Sequence, residues 1–226
     1  MKPSSAELRA LCRRDPVLGR AMKELPPFPG FPDATSRRSP LHYDALARAI
    51  VFQQLATKAA ETIHGRVCAL TEGPHFPRPE EVAKLPDSAL RGAGLSQNKL
   101  RAVRDLAGRI EDGRLDLARI ARRKDARVIE ELVLVRGIGE WSAHMFLLFR
   151  LGRLDVFAPG DLGVREGLRI LDGAVERPTP KAAEARAAVW SPLRSVGTWL
   201  MWRMLERERA RNSQPQPPKA RPASNS

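Results

Sequence analysis

The chain has only two cysteines, Cys12 and Cys68, in 226 residues. Two thiols cannot build a disulfide framework, nor the four-thiolate set that an iron–sulfur cluster needs within one chain. The four histidines, His42, His64, His75 and His144, share no zinc-ligand spacing and read as surface or packing residues. An apolar run of about 18 residues is missing, which excludes a transmembrane helix. A secretory leader and an Arg- and Ser-rich transit segment are missing too, so a soluble intracellular protein is expected, cytoplasmic and nucleoid-associated in a bacterium. Strand-like alternation is nearly absent, and an all-α fold is therefore expected. Acidic residues are in the minority: 26 Asp and Glu stand against 39 Lys and Arg, for a formal net charge of +13 and a pI near 10.9. Such a balance suits a polyanionic partner and predicts salt-sensitive binding, without separating DNA from RNA or an anionic membrane surface. Part of the charge belongs to solvated helix faces.

The length allows one large or two small domains. Helical periodicity predicts helices from Ser5 to Leu25, Ala45 to Leu70, Gln97 to Asp112, Asp116 to Arg122, Asp125 to Val135, Glu140 to Arg150, Asp161 to Leu171, Lys181 to Trp190 and Pro192 to Arg209. Two shorter ones, Glu80 to Leu85 and Asp87 to Arg91, complete the set. After Arg211 the composition turns to Asn, Ser, Gln, Pro and Lys, too poor in apolar residues to fold, and residues 211–226 read as a disordered basic tail.

The most informative stretch runs from Leu132 to Leu168. Gly137-Ile138-Gly139 lies between two helix patterns, and Gly139 stands bare where the second begins, so its N–H and that of Glu140 can approach a phosphate. An ordinary tight turn accounts for the same glycines. Downstream, Pro159-Gly160 breaks the chain and Asp161 opens the next helix. Asp161 is either an N-cap, worth about 1 kcal/mol, or a carboxylate facing a cleft.

Five ordered segments carry a family resemblance: Ala49 to Ala56 with its paired glutamines, Gly94-Leu95-Ser96-Gln97-Asn98-Lys99, the hairpin from Val135 to Ala143, the Asp161 segment, and Trp190-Ser191-Pro192-Leu193-Arg194-Ser195. Together they resemble the helix-hairpin-helix (HhH-GPD) superfamily of DNA glycosylases, and more closely its monofunctional alkylpurine branch, the 3-methyladenine DNA glycosylase II type. The resemblance spans about residues 42 to 205.

What it implies is a two-lobed helical fold with the active-site cleft between the lobes. Residues 1–41 would pack with the C-terminal lobe, 42–153 would form the central lobe with the helix-hairpin-helix at 132–150, and 154–210 the C-terminal lobe. Asp161 matches the catalytic aspartate, stabilising an oxocarbenium-like sugar and orienting water. Trp141 falls where strand-cutting relatives carry a lysine nucleophile, which implies base release with no lyase step. Trp141, Trp190 and Met145 match the base pocket, where aromatic faces attract a cationic alkylpurine. Met145 replaces a tyrosine of some relatives. Gln54 matches the wedge that fills the gap left by a flipped nucleotide, with Leu55 its alternative. Gly137, Gly139, Glu140 and Lys99 map to the DNA backbone contacts. The carbonyls of Val133, Val135 and Ile138 map to a monovalent cation, sodium or potassium, as the one ion implied; no cofactor is required and no iron–sulfur cluster is expected. The implied partner is double-stranded DNA with damaged bases, bound by a monomer. Two alternatives stay open: another lesion, such as hypoxanthine, an etheno adduct, an oxidised purine or uracil, or a non-catalytic DNA-binding protein in which Asp161 is only a cap.

Overall fold

The computed structural model describes residues 1–31 and 42–213, and every regular element among them is helical. The chain opens with α1 (Ser5–Arg14) and α2 (Pro16–Glu24). The single helix predicted from Ser5 to Leu25 is divided at Asp15, because Pro16 lacks an N–H and disfavours helical backbone at the residue before it. Asp15 is extended, at φ −131°, and its Oδ1 accepts from the Val17 and Leu18 N–H groups at 3.1 and 3.0 Å. Ser4 and Glu7 close the start of α1 in a reciprocal capping box.

The helix predicted from Ala45 to Leu70 is likewise two, α3 (His42–Phe52) and α4 (Thr57–Cys68). Neither Gly nor Pro marks the break, which falls at Gln53 to Ala56 and puts Gln54 at φ +55°. Tertiary contacts impose it. Lys99 Nζ donates to the Val51 carbonyl at 2.6 Å, and Gln53 Nε2 donates to the Gly137 carbonyl at 2.8 Å. Then come α5 (Pro79–Lys84), α6 (Asp87–Gly92) and α7 (Gln97–Glu111); α3, α5 and α6 all pack on α7, which buries Leu100, Val103 and Leu106. Between Asp116 and Arg122 only a 3₁₀ turn forms, Ile120–Arg122, because the Asp116 carboxylate accepts from the Arg119 N–H at 3.2 Å and closes a local turn instead.

The hairpin helices are α8 (Asp125–Leu132) and α9 (Glu140–Met145), and α9 continues as a π-helical turn, Phe146–Arg150, where a regular helix is predicted. The chain ends in α10 (Leu162–Asp172), α11 (Pro180–Ala187), a 3₁₀ turn at Ala188–Trp190 and α12 (Arg194–Asn212). Arg211 and Asn212 thus belong to α12 and not to the predicted tail; its remainder, 214–226, and residues 32–41 of the N-terminal segment lie outside the described residues.

α10 lies against α12 in close backbone contact, and α2 packs on both, so the two ends of the chain share one lobe. Asp15, only 4% exposed, ties the N-terminal segment to this lobe: its Oδ2 accepts from Arg186 Nη1 at 2.6 Å and from Trp190 Nε1 at 2.7 Å. Burial pushes the Asp15 carboxyl up, but the bonds from Arg186, the Leu18 N–H and Trp190 outweigh it and hold the group below the usual carboxylate range. No helix among the described residues is long and apolar enough to cross a membrane.

Candidate active site

A cavity of about 890 Å³ opens where α3, α9 with its π turn, α10 and α12 converge. Its wall is mostly apolar, with Trp141, Met145, Phe149 and Trp202 at the end that holds Asp161. Asp161 does both things open to it. It is the N-cap of α10, Oδ1 accepting from the Val164 N–H at 2.8 Å, and its carboxylate also lines the cavity. Two indoles also donate to it: Trp202 Nε1 to Oδ1 at 3.2 Å and Trp141 Nε1 to Oδ2 at 2.6 Å. Trp141 is half exposed, at 50%, and lies at the mouth of the cavity.

Met145 is in the cavity wall as expected. Trp190 is not, and its assignment to the base pocket is corrected. Its side chain is fully buried, its N–H is committed to Asp15, and its six-membered ring lies so close to Gly197 that a Cβ there would stand 2.1 Å from it. Trp190 fills the core of the C-terminal lobe, edge-on to Phe157 at 5.9 Å.

Among the wall residues absent from the sequence analysis are Phe149 and Trp202, whose rings stack at 5.7 Å and 16°. α12 carries no amphipathic stripe, so periodicity gave Trp202 no face. The one available signal was that it is among only four tryptophans. Elsewhere on the wall, the guanidinium of Arg48 lies 3.7 Å over the Phe52 ring, and Asp44 Oδ2 stands 3.4 Å from His75 Nδ1. Burial holds His42, His64 and His144 below the usual imidazole range, in keeping with packing roles.

Outside the cavity mouth lie the two elements assigned to DNA. The first is the turn between α3 and α4, where Gln54 and Leu55 are both exposed and Leu55 is therefore not a core residue. Lys99, assigned to a phosphate, has its ammonium partly buried, pushed down by that burial, with one N–H donated to the Val51 carbonyl. It fastens the C-terminal end of α3 beneath this turn. The second element is the hairpin. Gly137 adopts φ +79°, a region open to glycine, and Gly139 is an N-cap without a side-chain acceptor, leaving the first N–H groups of α9, Glu140 included, to an outside partner. Asp105 Oδ2 stiffens the turn by accepting from the Arg136 N–H at 2.7 Å and from Arg109 Nε at 2.8 Å. Of the three carbonyls assigned to a cation, that of Val135 accepts the Ile138 N–H at 3.0 Å and keeps a second lone pair.

Comparison with known proteins agrees with this geometry. The family described as HhH-GPD superfamily base excision DNA repair protein matches residues 47–192. DNA-3-methyladenine glycosylase 1 of Schizosaccharomyces pombe is 32% identical over 162 residues, 71% of this chain and 71% of that protein. The chain spans less, 59%, of a putative DNA-3-methyladenine glycosylase of Bacillus subtilis that is 28% identical. Among solved structures, a DNA-3-methyladenine glycosidase from Bacillus halodurans superposes with a TM-score of 0.83 at 32% identity, covering 93% of this chain and 94% of that one. The 3-methyladenine DNA glycosylase of S. pombe in complex with abasic DNA superposes with a TM-score of 0.72 at 27% identity, over 88% and 95% of the two chains. With its hairpin, its two lobes and the aspartate at the cleft between them, the chain belongs to the HhH-GPD superfamily of base excision DNA repair proteins.

Proposed function

We propose that this protein is a monofunctional DNA glycosylase that hydrolyses the N-glycosidic bond of alkylated purines, 3-methyladenine and 7-methylguanine, in duplex DNA. The observation that carries this reading is the carboxylate of Asp161, oriented by Trp141 and Trp202 in a cavity walled by aromatic and apolar side chains. A purine alkylated at N3 or N7 is cationic, and aromatic faces attract such a base by about 0.5 to 2 kcal/mol per ring. When its glycosidic bond breaks, the electron pair neutralises the base, so departure needs no dedicated acid. Positive charge then develops on the sugar, where the Asp161 carboxylate offsets it. Water adds to C1′, loses a proton, and leaves an abasic site.

Strand cutting by a Schiff base requires an amine at the sugar. Trp141 occupies that position, and no lysine lines the cavity among the described residues, which supports base release without a lyase step. The exposed turn at Gln54 and Leu55 supplies a wedge, and the uncapped start of α9 suits a phosphate oxygen, with a sodium or potassium ion held by the carbonyls of Val133, Val135 and Ile138. Damaged duplex DNA is then the partner, bound by one copy of the chain.

Methylated duplex DNA tests the reading. Release of free 3-methyladenine or 7-methylguanine, with strand breaks only after alkali, is the expected outcome; Asp161→Asn is expected to bind duplex DNA and release neither base. Unchanged release by that variant would overturn the assignment.

A further inference from the structure

Trp202 can hold Asp161 only while its ring plane keeps Nε1 aimed at Oδ1. That plane is set from behind. One face of Trp202 stacks on Phe149, and Phe149 in turn receives the edge of Phe31 at 4.9 Å and 72°. Phe31 is 2% exposed and packs edge-on against Phe28 at 5.1 Å, and Phe28 against Trp199 at 5.7 Å. Trp199 and Trp202 share α12, so these five rings close a loop that starts and ends on one helix. The loop has two elements that a plain core does not call for. Phe149 lies in the π-helical turn, a feature that gathers at functional sites because it re-aims the side chains of a helix. The Phe28 to Phe31 stretch is pinned by the Phe31 N–H, which donates to the Met1 carbonyl at 3.0 Å.

We infer that Phe31 and Phe149 are positioning residues for the glycosylase reaction, the first from the N-terminal segment and the second from the π turn, which together fix the plane of Trp202 and so aim the Asp161 carboxylate into the cleft. The inference rests on the proposed function for its kinetic consequence and on geometry alone for its structural one. It gives the N-terminal segment a part in catalysis although none of its residues reaches the cavity among those described. Trp202 transmits the effect through a single hydrogen bond, which makes the coupling measurable.

The test has two readouts on the full chain. In single-turnover base release, Phe31→Leu and Phe149→Leu are expected to slow the reaction by about tenfold to a hundredfold, the scale of a small misplacement at a reacting centre, with affinity for an abasic-analogue duplex unchanged. Phe149→Tyr keeps the stacked ring and should restore the rate. Leu106→Ala opens a cavity in the other lobe and should lower stability without this loss. Because Phe31 does not reach the cavity and acts through the Trp202 N–H, adding Phe31→Leu to Trp202→Phe should slow release no further. The second readout needs no activity: in ¹H–¹⁵N spectra the indole N–H of Trp202, assigned with Trp202→Phe, should move in Phe31→Leu and Phe149→Leu while that of Trp190 stays. An unmoved Trp202 resonance overturns the inference, as do additive losses in the double variant. If the wild-type chain releases no alkylpurine, the proposed function fails, and the resonance still decides whether the aromatic loop aims Trp202.

Discussion

Replacing Gly167 by alanine is expected to force α10 and α12 apart. A Cβ on Gly167 would stand 2.1 Å from the Met201 carbonyl oxygen and 2.6 Å from Met201 C and Cα. Carbon and oxygen in contact prefer about 3.3 Å, so the helices must separate by roughly 1 Å. Overpacking costs about 1–3 kcal/mol, and here the obstacle is backbone, which has no rotamer to change, so the upper end applies. Alanine's higher helix propensity returns about 1 kcal/mol. The net loss is about 2 kcal/mol, which for a chain of this size lowers Tm by about 4–8 °C. Gly108 on α7 is the matched control: nothing lies within 4 Å of its Cβ position, so Gly108→Ala gains the propensity alone and should raise Tm by about 2–4 °C. Thermal unfolding followed by circular dichroism, with reversibility checked, reads both. Because Asp161 caps α10 and Trp202 rides on α12, Gly167→Ala should also slow base release. A Gly167→Ala protein as stable as wild type would refute the close approach and the account of the lobe built on it.

Two further perturbations probe the connections between elements. Asp15→Asn turns an acceptor into a donor facing Arg186 and Trp190 and should cost about 3 kcal/mol at neutral pH. Since the Asp15 carboxyl sits below its unfolded value, its contribution is complete above that value and is lost as pH falls through the folded one. Denaturant unfolding should therefore show the gap between wild type and Asp15→Asn narrowing as pH falls through and below the ordinary carboxylate range, and a constant gap would contradict this. Gln53→Ala removes the bond that holds the α3–α4 turn to the hairpin, worth about 1 kcal/mol; duplex affinity by fluorescence anisotropy should fall about fivefold at fixed salt, and an unchanged Kd would mean the two elements dock independently.

The helical class was readable because periodicity and punctuation agree over most of the chain: Pro159-Gly160 before α10 and Gly137 to Gly139 before α9 are breaks that local chemistry dictates. Where the break is imposed from elsewhere, local signals miss it. Gln53 to Ala56 contains good helix formers, and only the bonds from Lys99 to Val51 and from Gln53 to Gly137 hold the turn open. The π turn is invisible for the same reason, since Phe146 to Arg150 suits a helix of either pitch. In the site, Asp161 and Trp141 were legible as members of motifs, whereas Trp190 was expected in the wall and Trp202 stands there. Both follow the hairpin and both are tryptophan; a buried acceptor, Asp15, captured the first, and Asp161 captured the second. Only the packing of α1 and α2 decides between them.

In the proposed reaction, capping and catalysis coincide at Asp161 for a physical reason. A carboxylate offers about four lone-pair positions. The Val164 N–H and the two indoles fill three and leave one open before any sugar arrives. Two of those donors, the Val164 N–H at the start of α10 and the partly buried Trp202 N–H, belong to the fold, and the third, Trp141, is half exposed. The fixed pair orients the carboxylate without reorganisation at the moment charge develops, the condition under which electrostatic stabilisation is largest. The exposed donor is the one a flipped nucleotide can displace, freeing Oδ2 toward the sugar. Asparagine is the informative replacement for the same reason. It caps a helix as well as aspartate does, so Asp161→Asn keeps α10 in place and removes the charge, its amide facing only the exposed Trp141 N–H, while Asp161→Ala would confound a lost cap with lost chemistry.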